Sequence, residues 1–339
     1  MNWLKRISLK QCRTIKWLYF TINVIFARLI GKPLVLCFHR VKMPSGSLLD
    51  KRIGVTKPSD LEEIIRCLRI AGYQFIPLER LVQMVEKGNH EKVVAITFDD
   101  GLSDLYENAF PIMKKYNIPF TCFLITSLIG STKLLWLHKL YIAWDKVDRP
   151  VRDKILEDYI EVHNRTQNDM EAAHFVVHFN GPNRLMEIAA RLSEAANINS
   201  VDEELLAKNL YLNNREIQAM QAHGLSVELH GHYHWPMERL TEEETRQELE
   251  TSLTIFRETF QTRARFLALP YGKTNPYLND IAGQLGIKGL FTMQSRLISG
   301  CNIEWHKLPR FCIYDDVQTF YRELCGQLIR YCIRGFSKN

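Results

Sequence analysis

Short apolar runs, each followed by a polar cluster, alternate with stretches of helical spacing in this chain, and that alternation limits the possible folds most strongly. Three of the runs lie at 33–38, 92–98 and 120–125, and helical spacing is present at 58–71 and 104–116. Strands that alternate with helices predict a parallel sheet. In such sheets catalytic groups gather where the strands end, so the residues after each run are the first candidates for a functional site.

The second half of the chain continues this pattern after an interruption. Residues 132–208 are rich in charge and largely helical in spacing, which indicates an insertion between strand–helix units. A long amphipathic helix is predicted at 242–260, with Thr241 as its N-cap. Further strands are predicted at 225–229, 266–269, 289–291 and 307–313. The 339 residues have room for one α/β barrel with an insertion, or for two domains.

Positive charge is concentrated at the start of the chain. Residues 1–49 contain nine lysines and arginines and no acidic residue, because the first carboxylate along the chain is Asp50. The whole chain has a net charge of +6, so the remainder is mildly acidic. A nucleic-acid-binding protein would spread its basic residues over a binding face, and we therefore expect no nucleic-acid partner. A basic end joined to apolar residues instead favours an anionic membrane surface.

The most apolar stretch, 17–27, lies inside this basic segment, between Lys16 and Arg28. It is shorter than the ~20 residues of a membrane-spanning helix, and no small-residue cleavage site follows it, as one would in a signal peptide. Two interpretations remain open. One is an amphipathic helix in the membrane plane, with peripheral contact through residues 1–32; the other is a helix packed on the outside of the domain.

The cysteines point to a reducing compartment. None of the eight cysteines forms a C-x-x-C pair, which argues against a cysteine zinc site or a thioredoxin-like motif. Cys37 and Cys122 lie inside apolar runs, where a thiol behaves as a small hydrophobic group. We therefore expect a cytoplasmic protein at the inner membrane surface.

Three polar clusters that follow predicted strands could carry chemistry. The sequence Thr97-Phe-Asp-Asp-Gly101 places two adjacent carboxylates at a strand end, so that one could bind a metal while the other serves as a base. Spacing alone equally fits a turn that leads into a helix. Three histidines follow another strand, and His230 and His234 have the i, i+4 spacing of two metal ligands if a helical turn forms. His232 is left unassigned.

The third cluster completes a resemblance to a known family. TFDDG, the later H-x-x-x-H and Pro270-Tyr-Gly272 occur in the order found in the polysaccharide deacetylase family, also called the NodB homology domain or carbohydrate esterase family four. The flanking segments GYQFIPLERL, REIQAMQAHGLSVELHGH and LTEEETRQELETS are similar to that family as well. The resemblance covers about residues 34–315. It implies an α/β fold, a distorted (β/α) barrel of NodB type at 34–339, with the helical insertion at about 132–208 and an N-terminal segment at 1–33.

The resemblance also implies a set of site residues. Asp100, His230 and His234 match the family's metal triad, which usually holds Zn²⁺, with Co²⁺ or Ni²⁺ as alternatives. Asp99 matches the general base, and the backbone N–H of Tyr271 matches a donor to the oxyanion. The implied reaction is metal-dependent hydrolysis of an N-acetyl group on an amino sugar, in a polysaccharide such as an exopolysaccharide or on a lipid-linked glycan.

Two departures from the family pattern change the assignments. Residues 314–339 contain no Leu-x-His motif, which supplies the acid in many members, so His39 after the first strand is the candidate acid. Leu269 stands where many members have an arginine that holds the base, and Arg310 is the candidate substitute, although a surface ion pair is equally compatible. Trp136 and His138 could line the sugar site, and for Trp136 packing in the core is an equal alternative.

Two other functions remain alternatives to this prediction. The same site could hydrolyse O-acetyl esters or other amides, because its chemistry acts on any acyl carbonyl. A glycan-binding protein with an inactive site is also possible in principle. The presence of Asp99 together with the Asp100, His230 and His234 triad argues against it.

Overall fold

The computed structural model describes residues 20–89, 91–159, 168–298, 304–314 and 316–336, with side chains in the last segment described to residue 327. The strands are β1 (Leu34–Phe38), β2 (Arg40–Val41), β3 (Val55–Thr56), β4 (Gln74–Phe75), β5 (Val93–Asp100), β6 (Phe120–Leu124), β7 (Leu225–Leu229), β8 (Phe266–Ala268), β9 (Gly289–Phe291) and β10 (Phe311–Cys312). The predicted strands are all present, and the short strands β2, β3 and β4 were not predicted.

Helices surround the strands. In chain order they are α1 (20–30), α2 (Leu48–Ile53), α3 (Pro58–Ile70), α4 (Leu78–Glu86), α5 (Phe110–Lys115), α6 (Trp136–Lys146), α7 (Arg149–Leu156), α8 (Asp169–Phe179), α9 (Pro182–Ala195), α10 (Ser200–Leu210), α11 (Asn214–Gln221), α12 (Glu242–Phe260), α13 (Leu278–Gln284) and α14 (Val317–Phe336). Six of them, α6 to α11, lie between β6 and β7. The helix predicted at 104–116 begins instead as a π-helix, Leu105–Ala109, and continues as α5.

The main sheet is parallel throughout and runs in the order β10-β1-β5-β6-β7-β8-β9, with β4 paired to β5. All eight residues of β5 are buried, because helices cover one side and the barrel interior fills the other. The N–H of Leu308 donates to the carbonyl of Leu290 in β9 at 2.8 Å, and the N–H of Ile313 donates to Cys37 in β1 at 2.8 Å. Residues 308–313 thereby join the two ends of the sheet. The predicted α/β fold, a distorted (β/α) barrel, is confirmed.

The predicted N-cap of α12 is confirmed. The Thr241 hydroxyl accepts from the backbone N–H of Glu244, and the Glu244 carboxylate accepts from the N–H of Thr241 in return. This capping box satisfies two of the backbone donors that are free at a helix start. It places the first turns of α12 beside the loop that follows β7.

Helix α1 packs against the barrel domain by one face. Val24, Ala27 and Ile30 are buried in the main core, whereas Ile22, Ile25 and Leu29 are exposed. Among the described residues, no helix has both the length and the apolar character needed to cross a bilayer. The predicted packed helix and the predicted amphipathic helix are both compatible with this arrangement.

Candidate metal centre and active site

The carboxyl ends of the parallel strands bring the predicted site residues to one edge of the barrel. Asp99 and Asp100 end β5, His39 follows β1, His230 follows β7 and Tyr271 follows β8. Each of these strands consists mainly of buried apolar residues, and their burial fixes the position of the strand. The polar groups follow at its carboxyl end. The chemistry-bearing residues are therefore close in space although they are far apart in sequence.

Asp100, His230 and His234 form a buried cluster. The Nε2 atoms of His230 and His234 lie 3.4 and 3.7 Å from Oδ1 of Asp100, and one ligand atom from each residue lies within 4.8 Å of the others. Two ligands of a tetrahedral metal with bonds near 2.0–2.1 Å are about 3.3 Å apart. The spacing of these three side chains thus fits one divalent ion.

The hydrogen bonds of the two histidines differ. Nδ1 of His230 lies 2.8 Å from the carbonyl oxygen of Ala268, so Nδ1 carries the proton and Nε2 presents its lone pair to the cluster. Nδ1 of His234 is buried and has no hydrogen-bond partner among the described residues. Its ring lies edge-on to the rings of His230 and Tyr271, each with a centroid distance of 4.8 Å.

The helical turn considered for His230 and His234 does not form. Residues 230–236 are a non-helical loop in which Gly231 and His234 have positive φ values of 80° and 56°. These left-handed residues turn the chain back on itself, so both imidazoles reach Asp100 without helical spacing. The two imidazoles therefore meet at Asp100, but not through the helical turn that the i, i+4 spacing suggested.

Arg310 and Asp99 form a buried bidentate ion pair. Nη1 and Nη2 of Arg310 donate to the two carboxylate oxygens of Asp99 at 2.7 and 2.8 Å, and the Arg310 side chain is fully buried. Its Nε also donates to the carbonyl of Thr292 at 3.3 Å. Of the two interpretations of Arg310, the surface ion pair is excluded, since neither partner is at the surface.

The charges around the cluster shift several pKa values. Burial raises the pKa of Asp99, but the charge and hydrogen bonds of Arg310 together with the nearby His230 and His39 outweigh it, and the net shift is downward. Burial likewise opposes the ionised form of Asp100, yet the neighbouring histidines hold its pKa well below the usual range. Burial and the charge of His230 lower the pKa of His234 to about 3, so its ring is neutral at pH 7 and able to ligate a metal.

His39 lies on the other side of Asp99. Its Nε2 is 3.9 Å from Oδ2 of Asp99, and burial lowers its pKa in spite of the attraction of Asp99 and Asp100. Cys37, His39 and Asp99 also lie close enough together to form a second possible metal group. Arg310 already places a positive charge on both oxygens of Asp99, so this group is poorly suited to a cation. The Asp100 cluster is the better metal site.

Tyr271 borders the cluster from the loop after β8. Its φ of 56° is left-handed, and its ring contacts that of His234. Its hydroxyl is buried and has no hydrogen-bond partner among the described residues. The turn that holds Tyr271 requires Gly272, where a Cβ would lie 2.8 Å from the backbone nitrogen of Met293. The residue predicted as an oxyanion donor therefore lies beside the candidate metal ligands.

Trp136 and His138 are buried in the core. The indole of Trp136 stacks on Trp235 with a centroid distance of 5.1 Å and donates to the carbonyl of Tyr233 at 2.8 Å. Nδ1 of His138 lies 2.9 Å from the hydroxyl of Tyr211, and the ring is fully buried. Core packing, the alternative stated for Trp136, fits the structure of both residues.

Three polar residues near the site were not predicted. Thr126 Oγ1 lies 2.9 Å from Nδ1 of His232, and Glu248 accepts hydrogen bonds from the backbone of the 230–236 loop. Cys312 lies opposite Cys37 in the pairing of β10 with β1. The only signal for Glu248 was a charged residue on the apolar face of a predicted helix, at the i+3 position from Thr245.

The chain is similar to known proteins in part of its sequence and in its fold. Residues 86–290, more than half of the chain, match the family model described as polysaccharide deacetylase. The poly-β-1,6-N-acetyl-D-glucosamine N-deacetylase of Staphylococcus epidermidis is 39% identical over 118 residues, which are 32% of this chain and 40% of that protein. Its namesake from Staphylococcus aureus is 36% identical over 109 residues, or 29% of this chain and 37% of that protein. This chain therefore matches about two fifths of the length of these curated relatives.

Solved structures resemble the whole barrel. The Streptococcus pyogenes deacetylase PplD in complex with acetate superposes with a TM-score of 0.58 and 16% identity, covering 86% of this chain and 98% of that one. IcaB from Ammonifex degensii superposes with a TM-score of 0.55 and 17% identity, covering 87% of this chain and 97% of that one. At these identities the similarity establishes the fold.

Proposed function

Because this chain belongs to the polysaccharide deacetylase family, we propose that it is a metal-dependent hydrolase that removes N-acetyl groups from an amino sugar of a glycan. The observation that carries the proposal is the buried cluster of Asp100, His230 and His234 directly beside Asp99. A metal-ligand set adjacent to a separate, anchored carboxylate is the arrangement that hydrolysis of an acyl group requires.

Zn²⁺ is the proposed ion, with Co²⁺ or Ni²⁺ as alternatives. Two imidazole nitrogens and one carboxylate oxygen from Asp100 form a donor set that suits Zn²⁺ and leaves a coordination position open. When bound, the ion would polarise the acyl carbonyl and lower the pKa of water.

Asp99 is the proposed general base. Arg310 orients both of its oxygens, and its lowered pKa keeps it ionised and ready to accept a proton at neutral pH. Asp99 is not needed as a ligand, because Asp100 supplies the carboxylate of the cluster. The backbone N–H of Tyr271 is proposed to donate to the acyl oxygen as negative charge develops there.

His39 is the proposed general acid for the leaving nitrogen. Its pKa is lowered by burial, so the ring is neutral at pH 7 before the reaction begins. Asp99 would take a proton from water and pass it from Oδ2 to Nε2 of His39, which lies 3.9 Å away, and the protonated His39 would then give that proton to the leaving nitrogen. His39→Ala should then lose amide hydrolysis while its metal content stays unchanged; full activity in this variant would refute the role.

The proposed substrate is a polymer of N-acetylglucosamine. The name of the staphylococcal relatives supports β-1,6-linked N-acetylglucosamine as the first substrate to test. Purified protein loaded with one equivalent of Zn²⁺ should release acetate and expose an equal amount of free amine from such oligosaccharides. His234→Ala, with one ligand missing, should release neither.

The outcomes separate the proposal from its alternatives. Acetate released from O-acetylated but not from N-acetylated sugars would replace the amidase with an esterase. A wild-type protein that binds Zn²⁺ and glycan yet releases no acetate from either would contradict hydrolysis and favour a glycan-binding protein.

We further propose that the protein lies at the cytoplasmic surface of a membrane. Ile22, Ile25 and Leu29 form an exposed apolar stripe on α1, next to the basic start of the chain. The described cysteines are all free thiols, which fits a reducing compartment. Replacing the three stripe residues by glutamine should abolish sedimentation with phosphatidylglycerol vesicles without changing acetate release. Unchanged sedimentation would defeat this assignment.

A further inference from the structure

Helix α12 buries a row of polar residues where an amphipathic helix would place apolar ones. Thr245, Glu248 and Ser252 lie on one face and are at most 4% exposed. Thr245 accepts from the amide of Asn275 at 2.8 Å. Burial of a carboxylate is expensive unless its oxygens are satisfied, so the partners of Glu248 indicate why a charged residue is present there.

Glu248 binds the backbone between the two histidine ligands. Its Oε1 accepts from the N–H of His232 at 2.7 Å and from the N–H of Tyr233 at 2.8 Å. The same oxygen would lie only 2.9 Å from a Cβ added to Gly231. The loop therefore wraps closely around the carboxylate, and the φ of 80° at Gly231 favours glycine at its first turn.

The carboxylate takes the place of the helical hydrogen bonds that this loop lacks. Residues 230–236 are not helical, so the N–H groups of His232 and Tyr233 have no acceptor in a preceding turn. Loss of Glu248 would leave these two donors unsatisfied, and His232 is buried. The loop would then lose the contacts that hold its left-handed residues in place.

His234 depends on this loop more than His230 does. The ring of His230 is oriented by its hydrogen bond to Ala268, whereas Nδ1 of His234 has no such partner among the described residues. The direction of the His234 ring is thus set by its own backbone, with φ of 56°, and by ring contacts with His230 and Tyr271. Whatever holds that backbone determines where Nε2 points.

We propose that Glu248 is a positioning residue that holds the 230–236 loop in the conformation in which His234 can bind the metal. This inference rests on the proposed metal site. It adds a residue that is not one of the three candidate ligands and that acts through two backbone N–H groups.

Zinc affinity of the full-length protein, measured by competition with a chelator, tests this role. We expect Glu248→Ala to bind Zn²⁺ about 10–100-fold more weakly, the usual effect of losing a group that orients a ligand. Glu248→Gln keeps an acceptor oxygen and should stay closer to the wild type. Gln247→Ala, exposed on the same helix, is the matched control and should be unchanged.

Further readouts separate positioning from general stability. With Co²⁺ as probe, Glu248→Ala should show an altered absorption spectrum, and saturating metal should recover kcat with KM unchanged. If Glu248→Ala does not fold, Glu248→Asp, whose carboxylate is one methylene shorter, should show the same weaker binding. A folded Glu248→Ala or Glu248→Asp with wild-type zinc affinity would overturn the inference. A wild-type protein that binds no Zn²⁺ would instead overturn the proposed function.

Discussion

Asp99 receives two charged hydrogen bonds from one guanidinium, that of Arg310, and Nε2 of His39 and of His230 lie 3.9 and 3.8 Å from its Oδ2. A bidentate pair fixes the plane of the carboxylate as well as its charge. The orientation of this proposed base is therefore set by a residue outside the candidate metal cluster. Substitutions at Asp99 should separate proton transfer from metal binding.

Asp99→Asn is expected to lower kcat by about 10²–10⁴-fold, the usual contribution of a general base. The amide keeps the size of the side chain and leaves Asp100, His230 and His234 in place, so zinc content should remain near one ion per chain. Acetate release and metal analysis of the same sample check both parts. Wild-type turnover in this variant would remove Asp99 from the mechanism.

His138 makes the folded protein sensitive to acid. Burial lowers its pKa from 6.5 to about 4, so the unfolded chain binds a proton between these pH values more readily than the folded protein does. The contribution of neutral His138 to the free energy of unfolding is fully present above pH 6.5. It is lost as the pH falls towards 4, because protonation of this residue favours the unfolded chain. By this linkage the loss between pH 7 and pH 5 is about 2 kcal/mol.

His138→Gln should therefore reduce the drop in unfolding free energy between pH 7 and pH 5 by about 2 kcal/mol. Urea titrations of metal-free protein at the two pH values measure this difference without a contribution from metal release. His223→Gln, at an exposed histidine, is the control and should behave like the wild type. An equal drop in His138→Gln and wild type would show that His138 is not buried in its neutral form.

At the scale of elements, the chain turns at the ends of β5, β7 and β8 through left-handed backbone conformations. Each of these turns contains a non-glycine residue with positive φ, namely Asp100, His234 and Tyr271, and each also contains a glycine with positive φ. Left-handed conformations of non-glycine residues cost free energy and persist only where the surroundings hold them. Three of them at one strand edge mark that edge as the functional one.

Gly272→Ala tests whether the left-handed turn after β8 depends on glycine. The glycine has φ of 66°, and a Cβ would lie 2.8 Å from the nitrogen of Met293, so the alanine should lower the unfolding free energy by about 1–3 kcal/mol. Gly283→Ala in α13 is the matched control: its Cβ would meet no atom within 4 Å, and a helical position favours alanine. Urea midpoints should fall only in the first variant. A urea midpoint of Gly272→Ala equal to that of the wild type would contradict the expected strain at this position.

Strands and motifs could be predicted from sequence because apolar runs and strand-end clusters are local features. The π-helix at Leu105–Ala109 and the loop at 230–236 could not, because their backbone depends on contacts made elsewhere. Arg310 could be named only as a candidate, since its contact with Asp99 requires the barrel to close. Glu248 was missed because its partners are backbone N–H groups, which leave no pattern of residue types.

At the scale of the whole molecule, a metal at the strand edge would link β5 to the loop after β7. An ion that binds only the folded chain stabilises it by mass action, by about 4 kcal/mol at a thousandfold excess over Kd. Chelation should therefore lower the Tm by several degrees, and added Zn²⁺ should restore it. His234→Ala should show no zinc-dependent Tm shift. A zinc-dependent shift of equal size in that variant would place the ion elsewhere.

The Arg310–Asp99 pair joins residues that are 211 positions apart in the chain. During translation Asp99 is synthesised long before Arg310. The guanidinium reaches the carboxylate only after the segment 308–313 has inserted between β9 and β1. Until then the emerging polypeptide has the three candidate metal ligands but lacks the cation that orients Asp99. The proposed hydrolysis would thus begin only once translation has passed the final strand.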